Sequence, residues 1–302
     1  MTLFPKIFPL REWILLCIIA FSMSNTTRAQ IELVITAGSS HFLGDLGGSF
    51  TDGKPTIKDI NLQGTRYMIG SGLRVRMGKK FAFRAGAYYA RLSADDKYTL
   101  NEGRRNRNLN FFSPITAMNA MFEYHFFNKN KLPVFYLMGG IEYFHFDPRT
   151  LYNGREIRLQ PLGTEGQFFL PGKSPYKLNS FALPFGIGLE FGHKYNGYWT
   201  FEISARKTFT DYIDDVSTKY VDKAQLLASN GQIAVDLSDR SLGLIQNFSA
   251  PGAIRGKPDH TDNFFFLQIS YNWILGGKHF NAQSGGHKEH RLLPAHGACY
   301  SF

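Results

Sequence analysis

In residues 180–192, Phe181, Leu183, Phe185, Ile187, Leu189 and Phe191 take every second position, with Ala182, Gly186, Gly188 and Glu190 between them. Successive side chains of a strand point to opposite faces, so this segment reads as a strand with one wholly apolar face. The same period runs through seven further segments, at residues 31–40, 65–76, 81–93, 115–127, 134–146, 199–212 and 262–275. A soluble sandwich alternates too, and the connections separate the two architectures. They are long at residues 44–64, 94–114, 147–179 and 213–261 and short at 77–80, 128–133 and 193–197, in strict succession. That order gathers the short turns on one rim and the long loops on the other, the pattern of periplasmic turns and extracellular loops. An even strand count lets the sheet close and removes its edges. The expected fold is all-β: an eight-stranded antiparallel transmembrane β-barrel over residues 30–275. Phe81, Tyr124, Phe126, Phe191, Trp199, Tyr271 and Trp273 fall near the periplasmic strand ends and read as an interfacial girdle.

Hydropathy averaging hides such a protein: the mean hydropathy is −0.22 because strands alternate. The start of the chain has the grammar of a secretory signal. Lys6 and Arg11 precede or open a short apolar run at residues 13–21, and Thr27 and Ala29 supply small residues before Gln30. Residues 1–29 are therefore expected to be removed, taking Cys17 with them and leaving Cys299 without an intramolecular partner. The net charge of +10 would fall to +8. In an exported chain that balance suits solvated loops or anionic lipid headgroups, and no nucleic-acid partner is expected. The tail at residues 276–302 is rich in His and Gly and reads as a disordered periplasmic extension. His287 and His290 have the spacing of a helical metal pair, but the surrounding residues lack helical character. No metal and no cofactor are expected.

The inward faces carry charges of both signs at similar depth: Glu32, Glu123, Glu190 and Glu202 against Arg74, Arg76 and Arg84. An eight-stranded barrel has an interior just wide enough for side chains to fill, and buried charges there must pair. The reading is a network that shuts the lumen, with a proton or ion path as the less ordinary role.

Other groupings are weaker. Ser39, Ser40 and His41 invite a lipid-hydrolase reading, yet neighbours on a strand face opposite ways and no G-x-S-x-G is present. The expectation is a non-enzymatic protein with no small-molecule substrate. Arg104, Arg105 and Arg107 form a basic loop tip, solvated or set against lipopolysaccharide phosphates. The acids Asp211, Asp214 and Asp215 are expected to meet Arg255 and Lys257 above the outer rim, since the strands they adjoin pair. They lack the glycine spacing of a known calcium loop. Residues 220–230 read as a short helix capped by Asp222, broken at Asn230-Gly231, with a second helical turn within residues 233–242.

Four elements in order resemble a known family. Phe42-Leu43-Gly44-Asp45-Leu46 resembles a "YLGDL" element, and the run from Thr210 to Ser217 a "TDYLDDVS" element. Residues 220–231 are similar to a helical loop, and Ile254-Arg255-Gly256-Lys257-Pro258 with Asp262 to an "RG-x-P…D" element. These belong to the PorG-like family of small outer-membrane barrels of Bacteroidota. The resemblance implies a structural component of type IX secretion in the cell outer membrane, in contact with outer-membrane lipid and lipopolysaccharide and with periplasmic ring proteins of the machine. It carries Asp45, Asp211, Asp214, Asp215 and Arg255 as motif positions. A general surface barrel of structural or adhesion type is the alternative.

Overall fold

A computed structural model describes residues 29–47, 62–126, 133–194 and 196–276. The expected signal segment, the tail beyond Gly276 and its histidines, and much of the first long loop lie outside these residues. In chain order the strands are β1 (Gln30–Leu43), β2 (Arg66–Met77), β3 (Phe81–Asp95), β4 (Asn110–His125), β5 (Val134–Phe146), β6 (Arg149–Tyr152), β7 (Arg155–Arg158), β8 (Asn179–Lys194), β9 (Gly197–Thr208) and β10 (Asn263–Gly276). All pairings are antiparallel. The order β3-β2-β1-β10-β9-β8-β5-β4 closes through β3–β4 into an eight-stranded barrel. Strands β6 and β7 form a hairpin above the long-loop rim, joined to β4 where Phe112 faces Arg149.

The alternation decides what each face meets. Ile69, Leu73, Met118, Ile141, Ile187 and Ile203 point outward and are 42–71% exposed. So wide an apolar belt is untenable in water and suits hydrocarbon. Aromatic side chains edge it. Trp199 and Tyr271 meet edge-on at 5.0 Å on the short-turn side, and Tyr67 and Tyr89 lie 6.2 Å apart on the other. Among the described residues no helix is long and apolar enough to span a membrane. The apolar core lies inside the barrel toward the long-loop rim, around Leu92, Ile115, Phe144, Phe146, Phe264 and Phe266.

The largest departures from the expected strand boundaries are the start of β4 and the end of β9. Strand β4 begins at Asn110 rather than at residue 115, despite Pro114. The β4–β5 ladder ends at Ile115–Phe146, so beyond that pair β5 asks for no N–H from β4. Strand β9 stops at Thr208 and releases residues 209–212 to the loops. The long loops hold a β6–β7 hairpin and a short helix α1 (Glu102–Arg107) that were not expected, and also the two expected helices, α2 (Lys223–Asn230) and α3 (Gln232–Ser238). Asp222 caps α2 by accepting from the Gln225 amide at 2.9 Å, and Gly231, at φ +80°, turns the chain into α3.

Ile141 sits near the middle of the apolar belt. Ile141→Arg is expected to destabilise the barrel in lipid vesicles by roughly 2–4 kcal/mol in urea titrations. Leu244→Arg, on an equally exposed loop residue, should cost less than about 0.5 kcal/mol. Equal effects would show that the belt does not face lipid.

Candidate functional site: the filled lumen and its cap

Arg74 and Arg76 share the inward face of β2, and the register sets Arg74 directly opposite Arg84 of β3. Like charges in that relation repel. Four glutamates on β1, β4, β8 and β9 surround them. Arg84 forks onto Glu202 at 2.7 and 3.1 Å, and its Nε lies 3.2 Å from Glu123. Arg74 reaches Glu123 at 3.1 Å and donates to Tyr198 at 2.8 Å and Asn272 at 2.9 Å. Arg76 bridges Glu32 at 3.3 Å and Glu190 at 2.5 Å. His125 stands between Glu123 and Glu190, 3.2 Å from each. The Tyr136 and Tyr198 hydroxyls donate to Glu202 and Glu32. Gly188 makes room for the Tyr136 ring, since a Cβ there would lie 2.1 Å from it. All seven charged residues named from the sequence lie in this one buried layer.

A second layer lies above it. Tyr88 donates to Glu142 at 2.6 Å, and Arg206 sits 3.5 Å from the same carboxylate and 4.2 Å over the Phe266 ring. A cavity of about 40 Å³, lined by Arg84, Tyr88, Asn119, Arg206 and Gln268 among others, separates the layers. It is the size of a water site. The sequence reading left Glu142, Arg206, Tyr88 and His125 out of the network. Their inward parity on period-2 strands was the signal that places them.

Above the apolar core, the long loops close over the mouth. Arg107 clasps Asp96 through 2.7 and 2.9 Å bonds and donates to the carbonyls of Asp45 at 2.7 Å and Arg255 at 2.6 Å. The basic loop tip is thus neither solvated at Arg107 nor free for lipid phosphate: Arg107 is buried, while Arg105 is exposed. Arg255 pairs with Glu165 at 2.9 Å and with the Asp215 carbonyl at 2.6 Å, its carboxylate lying 3.5 Å away. Asp215 holds a left-handed φ of +65° and accepts from Thr164 at 2.6 Å and Tyr176 at 2.7 Å. Of the sequence-named acids only Asp215 meets Arg255. Glu165 and Asp96, its counterparts in the cap, lie in loops where periodicity gives no signal.

Asp45, Asp211, Asp214 and Asp262 form a buried acidic cluster beside these pairs. Asp45 accepts from the Lys257 amide at 2.5 Å, Asp214 from Leu46 at 3.1 Å and Val216 at 2.9 Å, and Asp262 from Ile213 at 2.8 Å. Neither Asp211 oxygen makes a well-formed hydrogen bond. Burial first, and then Asp214, Asp45 and Glu165, push the Asp211 carboxyl up to about 9, with partial relief from Ser217. Burial and neighbouring aspartates likewise raise Asp214 and Asp262. Asp215 is held up to about 6 by burial, against the pull of Arg255. Among the described residues no group of three or more His, Cys, Asp or Glu is disposed to hold a metal ion.

The serine beside His41 is Ser39, two positions away on the same face, 3.0 Å from Nε2. Ser40 instead donates to the Arg91 carbonyl at 2.5 Å. His41 Nδ1 lies 3.4 Å from the Thr65 hydroxyl, not against a carboxylate, so the orienting acid of a hydrolytic triad is replaced by a weak neutral contact.

A closed eight-stranded barrel with an ion-filled lumen, an apolar belt and a sealed mouth defines a small transmembrane barrel of the outer-membrane type. The chain belongs to the family described as "Domain of unknown function (DUF6089)", whose model matches residues 12–231. No curated protein matches the sequence. Among solved structures it is similar to Ail, the attachment invasion locus protein of Yersinia pestis, in complex with the heparin analogue sucrose octasulfate. That likeness has 9% identity and a TM-score of 0.34, and covers 82% of this chain and 99% of Ail.

Two measurements address these layers. Glu202→Leu strips Arg84 of its fork and is expected to cost roughly 3–5 kcal/mol in vesicle unfolding. Adding Arg84→Met should recover much of that loss; a double variant no better than the single would mean that the pair is not coupled. The second concerns pH. The folded cap holds Asp211 protonated, whereas unfolded Asp ionises near its ordinary value of 3.8. Native binding of the extra proton makes cap stability complete at low pH and lost as pH rises toward about 9. Protease nicking of the loops should therefore accelerate from about pH 5 to about pH 9 and level off above that, and Asp211→Asn should flatten that rise.

Proposed function

We propose that the protein resides in the outer membrane of a Gram-negative bacterium, short turns toward the periplasm, and serves as a non-enzymatic anchor or organiser of an envelope assembly. The observation that carries this reading is the doubly closed interior. Four glutamates and three arginines fill one end of the lumen, and Arg107 and Arg255 lock the loops over the other. A barrel so filled offers no open conduit, and its surfaces remain to act. Within this reading the finer role is that of a PorG-like component of type IX protein secretion, contacting periplasmic ring proteins. It rests on the four sequence elements around Asp45, Asp211–Asp215, the α2 loop and Arg255.

A second reading, a general surface barrel of structural or adhesion type, is favoured by one feature of the cap. Leu242, Leu244, Ile245 and Ile254 are 43–72% exposed on loop residues, outside the lipid-facing strands. Such apolar groups suit a protein partner.

Reversible crosslinking of intact envelopes followed by capture of the tagged full chain tests the first reading. Recovery of periplasmic ring proteins is expected. Their absence, with capture instead of surface partners lost on Leu244→Asp, would favour the second. In planar bilayers the purified barrel should give no stepwise conductance. Glu202→Ala with Arg84→Ala should introduce it, and open channels in the unaltered protein would overturn the anchor.

A further inference from the structure

The lipid-facing wall ends in a basic pocket at the long-loop rim. From Phe81 to Arg91 the outward positions of β3 climb ten residues, which at ~3.4 Å each and a tilt of ~40° is ~26 Å along the barrel axis. The apolar band of such barrels is about 25 Å tall, so Arg91 stands at its far edge, just above the Tyr67–Tyr89 pair. Here a cavity of about 330 Å³ opens between the ends of β2 and β3, the start of β4 and the β6–β7 hairpin, lined by Arg66, Arg91, Lys97, Tyr98, Phe112 and Glu156 among others.

Its cations are incompletely satisfied. Among the described residues the Arg91 guanidinium lies 3.9 Å over the Phe112 ring, its Nε is buried without a hydrogen-bond partner, and its carboxylate contact is Glu156 at 3.9 Å. Glu156 is shared with Arg149 at 3.5 Å, and Arg149 and Arg158 both rest on Asp147 at 2.7 and 2.8 Å. Among the described residues Arg66 donates to the carbonyls of Gln63 and Thr65, at 3.2 and 2.7 Å. Lys97 is paired with Asp95 at 2.9 Å yet remains half-exposed. Guanidinium groups held in this way present planar donors suited to phosphate.

We propose that this pocket binds the phosphorylated headgroup of an outer-leaflet glycolipid, with Arg91 and Arg66 on the phosphate, Lys97 beside it, and the acyl chains lying on the apolar belt below. The assignment rests on the orientation proposed above. It moves the lipid-phosphate contact from the buried Arg107 to a site at membrane level. A headgroup is preferred to a soluble anion because the pocket adjoins the lipid-facing aromatic pair.

Full-length barrel in neutral detergent is titrated with bis-phosphorylated lipid A, fully dephosphorylated lipid A and inorganic pyrophosphate, reading binding by native mass spectrometry. Folding is checked by heat-modifiable migration. Bis-phosphorylated lipid A is expected to bind about tenfold more tightly than the dephosphorylated form, and Arg66→Gln with Arg91→Gln to abolish the difference in a folded barrel. Glu156→Gln, which removes a competing carboxylate, should tighten binding about threefold. Equal binding of dephosphorylated lipid A, unchanged binding by the double variant, weaker binding by Glu156→Gln, or saturation by pyrophosphate at the same concentration would each overturn the proposal. None of these results bears on whether the barrel anchors partners in the envelope.

Discussion

Eight strands enclose an interior that side chains must fill, and the way this chain fills it governs the rest of the structure. The register sets Arg74 against Arg84, an arrangement that repels in isolation. It persists because Glu123 and Glu202 each lie within 3.5 Å of both guanidinium groups. Those carboxylates in turn would be costly to bury without the arginines. Each ion therefore holds its charge only with the others in place, and they come from separate strands. The network makes closure of the barrel cooperative and specifies register, since a one-residue slip would turn these charges into the lipid.

The cap solves a different problem. Its long loops would lose much conformational entropy on ordering. Buried loop residues such as Leu46, Leu159, Ile213, Val216 and Leu237 offset part of it by joining the apolar core, and buried arginines add to them. Arg107 joins the loops that carry Asp45, Asp96 and Arg255, and Arg255 adds the one that carries Glu165. Planar, permanently charged and rich in donors, guanidinium groups can satisfy several loop carbonyls at once. On the other side of Asp45, burial and neighbouring acids raise Asp211, Asp214 and Asp262, so one cap contains both fixed ion pairs and a group of proton-dependent contacts.

Sequence reading reached the barrel because period-2 alternation and loop lengths are local signals that closure then makes global. Residues 134–146 show how far that goes: the strand read from Phe135, Leu137, Ile141 and Tyr143 is the strand formed. The same parity brought the seven lumen charges to one face of their strands. It was less informative at strand ends: alternation placed the start of β4 at residue 115, and the tertiary ladder carries it back to Asn110 through Pro114. Loop chemistry was the least legible. Nothing local distinguishes Arg107, which is buried, from Arg105, which is exposed. The difference is a three-loop contact that exists only after the barrel brings those loops together.

Between the two ionic regions lies an apolar layer, Phe144, Phe146, Phe264 and Phe266 with Leu92 and Ile115, and its position has a physical consequence. Charges on its two sides share no partner, and sites without shared partners act nearly additively. Loss of protons from Asp211 and Asp262 can loosen the loops without disturbing Arg74 or Glu202. Loss of a lumen pair, conversely, acts on the strands and not on the Arg107 and Arg255 clasps. The layer thus lets the loops of this barrel change while its lumen stays filled, and that separation suits the proposed role of contact at its rims.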